Sequence, residues 1–175
     1  MEYKNCGNDD KVLPAGRFHT RWCSWLPKKV NIFVWRVLWN RLPTRVLLQS
    51  RGLTLETARC PLCNETDESV NHVLGSCSVA SAVWGLVFRW MQLQGVDVSS
   101  MERIFESVDG VKVNKERKQL IEVIVSTTLW ALWRFRNDVI HESRLLRKEY
   151  LFDFIQDFSF SWCSSRQLKL RISWV

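Results

Sequence analysis

Cys60-Pro61-Leu62-Cys63 puts two thiols on one tight turn; eight residues further on stands His72, and after four more comes Cys77. Cysteines at this spacing aim both sulfurs at one point, and a histidine with a third cysteine completes the tetrahedron of soft ligands that Zn²⁺ takes. Pro61 stiffens the turn by fixing its own φ angle. The plainer alternative is three core cysteines beside an unrelated histidine, since free thiols are commonly buried. The spacing favours zinc, because no other stretch of the chain gathers four soft ligands so closely.

Four protein ligands close the coordination shell, whereas a catalytic zinc keeps one position for water beside a general base. Glu65 or Glu68 would become such a base only if a ligand dropped out, so a structural ion is expected. Glu65, Asp67 and Glu68 read instead as N-terminal charge for a helical turn carrying His72. Three thiolates around Zn²⁺ leave one net negative charge, which Arg59 stands next to and is expected to screen. Structural zinc supplies roughly 10–16 kcal/mol of apparent binding energy, enough to offset the ordering of a knuckle with little apolar surface of its own.

A second set of residues precedes the knuckle: Lys28, Lys29, Arg36, Arg41, Arg45, Arg51 and Arg59. From Arg17 to Arg59 nine basic side chains meet a single carboxylate, Glu56, so the net charge of +7 over 175 residues is concentrated there. Such a stretch suits phosphates, each contact releasing condensed counterions. Trp22 and Trp25, and further on Trp35 and Trp39, offer flat faces on which unpaired bases stack. The plain alternatives are a solvated basic face and core tryptophans, and for Trp35 and Trp39 the core is favoured.

Other chemistries lack their residues. A polymerase palm needs paired aspartates on a hairpin to hold two metal ions, and the only Asp-Asp pair, Asp9-Asp10, lies in a polar leader. An RNase H site needs carboxylates converging on a strand-rich scaffold, which these helical patterns do not provide. Cys163 with His141 has no spacing that supports a thiol nucleophile, and Cys6, Cys23 and Cys163 read as inert thiols. Met1 to Asp10 holds no apolar run, which predicts a chain that is not secreted, intracellular, and using its six cysteines for metal rather than disulfides. No stretch is apolar for long enough to span a membrane.

The elements that must position these residues are helical. After a leader, residues 1–16, Trp22 to Pro27 reads as extended, because Pro27 biases Leu26 away from helix. From Lys28, residues Val30, Phe33, Val34, Val37 and Leu38 recur on one helical face, while Ile32, Trp35 and Trp39 form a second, which is either sandwiched or offered to a partner. Pro43 ends that helix, Thr44 caps a short one from Arg45 to Arg51, and Gly52 stops it. This helix–turn–helix outline is shared by DNA readers, with simple packing the favoured reading. Ser78 is expected to cap a helix to about Leu93, built on Val79, Val83, Leu86, Val87, Trp90 and Met91. A short helix from Met101 to Val108 precedes a turn at Asp109-Gly110. Asn114 caps the longest run, with Ile121, Ile124, Val125, Thr128, Leu132, Phe135 and Val139 in register through about Glu142. A last helix, Lys148 to Gln167, carries Tyr150, Phe154, Phe158 and Trp162 as an expected core stripe, and Leu168 to Val175 hints at alternation.

Arg59-Cys60-Pro61-Leu62-Cys63, Glu68-Ser69-Val70-Asn71-His72-Val73-Leu74 and Cys77 together resemble the zinc-binding domain at the C-terminal end of plant LINE-type (non-LTR) retrotransposon reverse transcriptases. Trp25-Leu26-Pro27-Lys28-Lys29-Val30, Phe33, Trp35-Arg36 and Leu42-Pro43-Thr44 are similar to the lead-in of that family. Trp130-Ala131-Leu132-Trp133 and Arg136-Asn137 are similar to the helical region that follows. The resemblance implies a piece of an RNA-directed DNA polymerase polyprotein that holds template RNA or target DNA and has no catalytic site of its own. The expected fold is mostly α: a zinc-stapled helical domain over residues 17–95 and a helical extension over 96–175. The alternatives are a module that docks the polymerase region or another protein, and a transposon relic without a present role.

Overall fold

The computed structural model describes residues 21–141 and 147–166; the expected leader and the alternation from Leu168 to Val175 fall outside them. Among the described residues the regular elements are helices, joined by loops and one isolated antiparallel bridge between Arg59 and Asp67. None of those helices is long and apolar enough to cross a membrane.

The stretch before the first helix folds rather than extends. Leu26 donates its N–H to the Cys23 carbonyl at 3.2 Å. Asn31 then fastens the turn, accepting from the Cys23 N–H and donating to the Cys23 carbonyl, both at 2.9 Å. Proline's bias therefore governs only the last residue of the segment, while the buried Asn31 amide decides the rest. Helix α1, Lys28–Leu38, starts directly after Pro27 and buries Val30, Phe33, Val34, Val37 and Leu38 as their spacing requires. Its second face is turned outward, with Ile32 46% exposed and Trp35 half-buried.

Helix α2, Arg45–Ser50, is a single short piece with no buried residue. Thr44 occupies the cap position in extended backbone, but its hydroxyl caps nothing. The cap comes from across the fold: Glu68 accepts from the Arg45 N–H at 2.8 Å. Gly52, at φ +86°, lets the chain leave the helix in the left-handed region where a glycine carries no steric penalty.

Helix α3, Ser78–Met91, ends within two residues of the expected Leu93, in a left-handed Gln92. Helix α4, Met101–Gly110, runs through the Asp109-Gly110 pair that the sequence marks as a turn, and Ser100 caps it by accepting from the Arg103 N–H at 3.2 Å. Helix α5, Lys115–Ile140, is the axle of the molecule; Asn114 caps it at 2.8 Å, and every residue from Val123 to Leu129 is buried. A helix buried all round must be packed on several sides, and α1, α3, α4, α6 and the turn at His72–Ser76 all lie against it.

A 3₁₀ turn, Lys148–Tyr150, leads into helix α6, Leu151–Arg166. The residues α6 sends into the core are Leu151, Ile155, Ser159, Trp162 and Cys163. The expected stripe of Tyr150, Phe154, Phe158 and Trp162 is shifted from that line: Tyr150 is 57% exposed. Phe154 and Phe158 are half-buried and, with Trp162, gather round Trp130 of α5 at centroid distances of 5.4–5.8 Å. One continuous apolar cluster thus includes Val30, Val73, Trp84, Phe105, Leu129 and Ile155, and it crosses residue 95 without a break.

Candidate metal centre

Three local structures bring the ligands together. Cys60 and Cys63 sit on a turn closed by the Asn64 N–H donating to the Cys60 carbonyl at 2.8 Å, with Asn64 in the left-handed conformation that asparagine tolerates. Either side of that turn the chain pairs with itself, Cys60 N–H to the Thr66 carbonyl at 2.7 Å and Glu68 N–H to the Ala58 carbonyl at 2.8 Å. His72 opens a π-helical turn, His72–Ser76, and Cys77 stands at the head of α3.

The π turn widens the helix by one residue, and its geometry is fixed from outside. Trp84, buried on α3, donates its indole N–H to the Leu74 carbonyl at 2.7 Å. Gly75 lies against the backbone of Val98, where a Cβ would run into the carbonyl oxygen, so no larger residue fits this turn unless the loop moves. Asn71 reaches forward to accept from the Met101 N–H at 3.1 Å, fastening the same turn to the start of α4.

Cys60, Cys63, His72 and Cys77 place their ligand atoms within 4.8 Å of one another. The Cys60 and Cys77 sulfurs are 3.9 Å apart, and the Cys63 sulfur is 3.3 Å from His72 Nε2. A tetrahedron built on Zn–S near 2.3 Å and Zn–N near 2.0–2.1 Å has S···S edges of about 3.8 Å and S···N edges of about 3.5 Å. Two of the six edges therefore stand close to the lengths such an ion requires, and the other four lie within 4.8 Å. Nδ1 of His72 faces the Ser76 hydroxyl at 3.4 Å, an outer partner that suits the tautomer with its lone pair on Nε2. None of the five cysteines among the described residues is in a disulfide.

The thiols are electrostatically unequal. The Cys77 thiol is held well below its ordinary value, first by the hydrogen bond from Cys60 and also by the Val79 and Ala80 amides at the start of α3. The Cys60 thiol is held up, first by that same bond and then by burial. The helix N-terminus thus favours the charge on Cys77 over Cys60. By contrast the thiol of Cys163 is pushed up to about 12 by burial, as an inert core cysteine should be. His141 is exposed, whereas Cys163 is buried.

Arg59 hydrogen-bonds within the knuckle. Its guanidinium donates to the Asn64 carbonyl at 3.2 Å, and its own carbonyl accepts from Arg45 at 2.8 Å, so both arginines brace the knuckle turn. Glu68 is the residue whose role the sequence hid. It is fully buried, not a solvated helix-end charge, and it forms a two-pronged ion pair with Arg136 of α5 at 2.6 and 2.7 Å. Arg136 also donates to the Pro43 carbonyl at 3.3 Å and lies over the Trp133 ring at 4.6 Å. One carboxylate thus joins the zinc hairpin, the start of α2 and the middle of the molecule.

The remaining basic residues divide. Lys28, Lys29, Arg36, Arg41 and Arg51 are exposed, as Arg59 is, while Arg45 is half-buried. Trp22 is 59% exposed, but Trp25 is 8% exposed and packed in the core, so its ring is not available for stacking. Arg21 is spent internally, paired with Asp109 and Glu122 at 2.7 Å each.

A family model described as zinc-binding in reverse transcriptase matches residues 3–84, which include all four ligands. No curated protein and no solved structure matches the chain. Residues 3–84 are thus similar to a zinc-binding region of reverse transcriptases, and the Cys₃His group within them is suited to hold a metal ion.

Proposed function

We propose that this module grips nucleic acid, template RNA or target DNA, beside a LINE-type reverse transcriptase of plant retrotransposon kind, with Zn²⁺ as a structural staple. The observation that carries the reading is the outer side of α1: Lys28 and Arg36 are exposed there, Lys29 is exposed beside them with its ammonium over the Trp130 ring of α5 at 5.2 Å, and no carboxylate occurs anywhere from Trp22 to Leu55. Two lysines in the first turn of a helix work against its dipole, a local cost that an anionic partner relieves. Zinc would be held by Cys60, Cys63, His72 and Cys77, and would fix the geometry of a loop whose apolar contacts are few. With four protein ligands there is no open position for water, which supports a non-catalytic role inside the cell.

A second reading, docking of a polymerase region or another protein, is supported by the exposed Val46 and Leu53 around α2, at 38% and 50%. Salt separates the two, since phosphate contacts weaken steeply as salt rises and apolar docking barely responds. The test combines native mass spectrometry with oligonucleotide titration. One zinc per chain is expected, lost in Cys60→Ser and His72→Ala. Binding to RNA or DNA is expected to fall with salt by about 0.7–0.9 log units per log unit for each phosphate contacted. A folded protein with no zinc, or a zinc protein that ignores nucleic acid at low salt, overturns the reading.

A further inference from the structure

Resting on the nucleic-acid reading above, we infer that the outer face of α1 is a single-strand site, with Trp35 as the ring on which an unpaired base stacks. Three observations converge on it. First, Trp35 is half-buried and stands apart from the core cluster, against which its neighbour Trp39 packs. The two rings lean together at 6.0 Å and 41°, so Trp39 holds Trp35 upright from the core side. Second, the Arg41 guanidinium lies 5.3 Å from the Trp35 ring centroid and 5.6 Å from that of Trp39. It lies over both rings, orients the pair by cation–π attraction and brings a positive charge to Trp35, where the phosphate of a stacked nucleotide would find it. Third, Lys28 lies two turns from Trp35 on the same stripe of α1 and Arg36 on its flank, both exposed, and they give phosphate contacts along a helix that carries no carboxylate of its own.

The same face is ill suited to duplex. Reading base edges in a groove takes several amide, carboxylate or guanidinium groups side by side, and α1 offers one exposed guanidinium, Arg36, and no carboxylate. The one amide on α1 is Asn31, whose side chain is buried and used on Cys23. In a duplex the bases are stacked on each other, and a tryptophan face finds nothing to cover. Helix α2, the other half of the helix–turn–helix outline, has only six residues and no buried anchor to seat it in a groove.

The test is fluorescence anisotropy of zinc-loaded full chain with a labelled oligo(dT) or oligo(U) strand and a duplex of equal length. The variants are Trp35→Ala, Trp35→Phe and the double substitution Lys28→Gln/Arg36→Gln. Wild type is expected to prefer the single strand. Trp35→Ala should lose about tenfold on it, keep the same salt slope and leave duplex binding unchanged, while Trp35→Phe recovers most of the loss. The double substitution should weaken both ligands and flatten the salt slope. Circular dichroism and zinc content of each variant report whether the fold is kept; since Trp35 lies outside the core cluster, it should be. If Trp35→Ala binds single strand as wild type does, or wild type prefers duplex, the stacking site is wrong while nucleic-acid binding stands. If no nucleic acid binds wild type at low salt, the broader reading fails and this one with it.

Discussion

At the residue scale, the metal centre owes its readiness to an inequality between two thiols. Cys77 is the thiolate-prone member because Cys60 donates to it and the first amides of α3 face its sulfur. Cys60 is held up by that same bond and by burial, which favours its protonated form. An incoming Zn²⁺ must displace that proton, and each proton released makes affinity change by about tenfold per pH unit. The sign follows directly: acid restores the proton that zinc must displace, so affinity falls as pH falls. Chelator competition across roughly pH 8 to pH 6 should show zinc affinity dropping at least about tenfold per unit. A flat profile would mean that the thiols are already fully ionised without metal. This much of the centre was legible from spacing alone, because a C-x₂-C turn, a histidine and a third cysteine need only local geometry to converge. The burial of Trp25 was not, since it depends on how the Asn31 amide folds the preceding turn back on the helix.

At the element scale, α1, α4, α5 and α6 were readable because each repeats its apolar residues at helical spacing, and Asn114 and Ser100 cap where short polar residues should. What failed was the assignment of charge. Glu68 looked like a solvated carboxylate near a helix start, yet its partner lies 68 positions away on α5. Nothing within a window of local sequence can report such a pair. It also replaces the hydroxyl of Thr44 as the cap of α2. Removing one member of a buried ion pair strands the other charge, at a cost of about 3–5 kcal/mol, whereas removing both with apolar groups of similar volume is often neutral. Glu68→Gln and Arg136→Met should therefore each lower the denaturation midpoint sharply, and the double variant should lose less than the two losses combined. Urea melts of the four proteins in zinc-saturated buffer measure the coupling. Strict additivity would show that the pair contributes no mutual stabilisation, and the zinc hairpin would then be fastened to α5 by packing alone.

At the scale of the whole molecule, the question is whether the zinc-bearing part can exist without the helices that follow it. The match to a zinc-binding family ends at residue 84, inside α3. Sequence drew a line near Gly95, where periodicity breaks. The apolar cluster runs across that line, with α1 and α3 packed on α5 and the π turn held by Val98 and Met101 from the far side. A piece cut after residue 95 loses Arg136, leaving Glu68 buried and unpaired, and uncovers the inner faces of α1 and α3. Zinc can order its own knuckle, since that energy is local to the four ligands and the turn they share. It cannot replace the apolar burial that α5 gives to Val30, Val34, Val73 and Trp84, which the cluster counts among its fully or nearly fully buried members. Residues 17–95 with one equivalent of zinc should thus bind the ion more weakly than the full chain and melt without a cooperative transition. In the full chain, by contrast, chelation should lower a single melting transition followed at both near- and far-ultraviolet wavelengths. A zinc-loaded 17–95 piece with full affinity and a sharp melt would reverse this, making α4 to α6 an appendage to a knuckle that folds by itself.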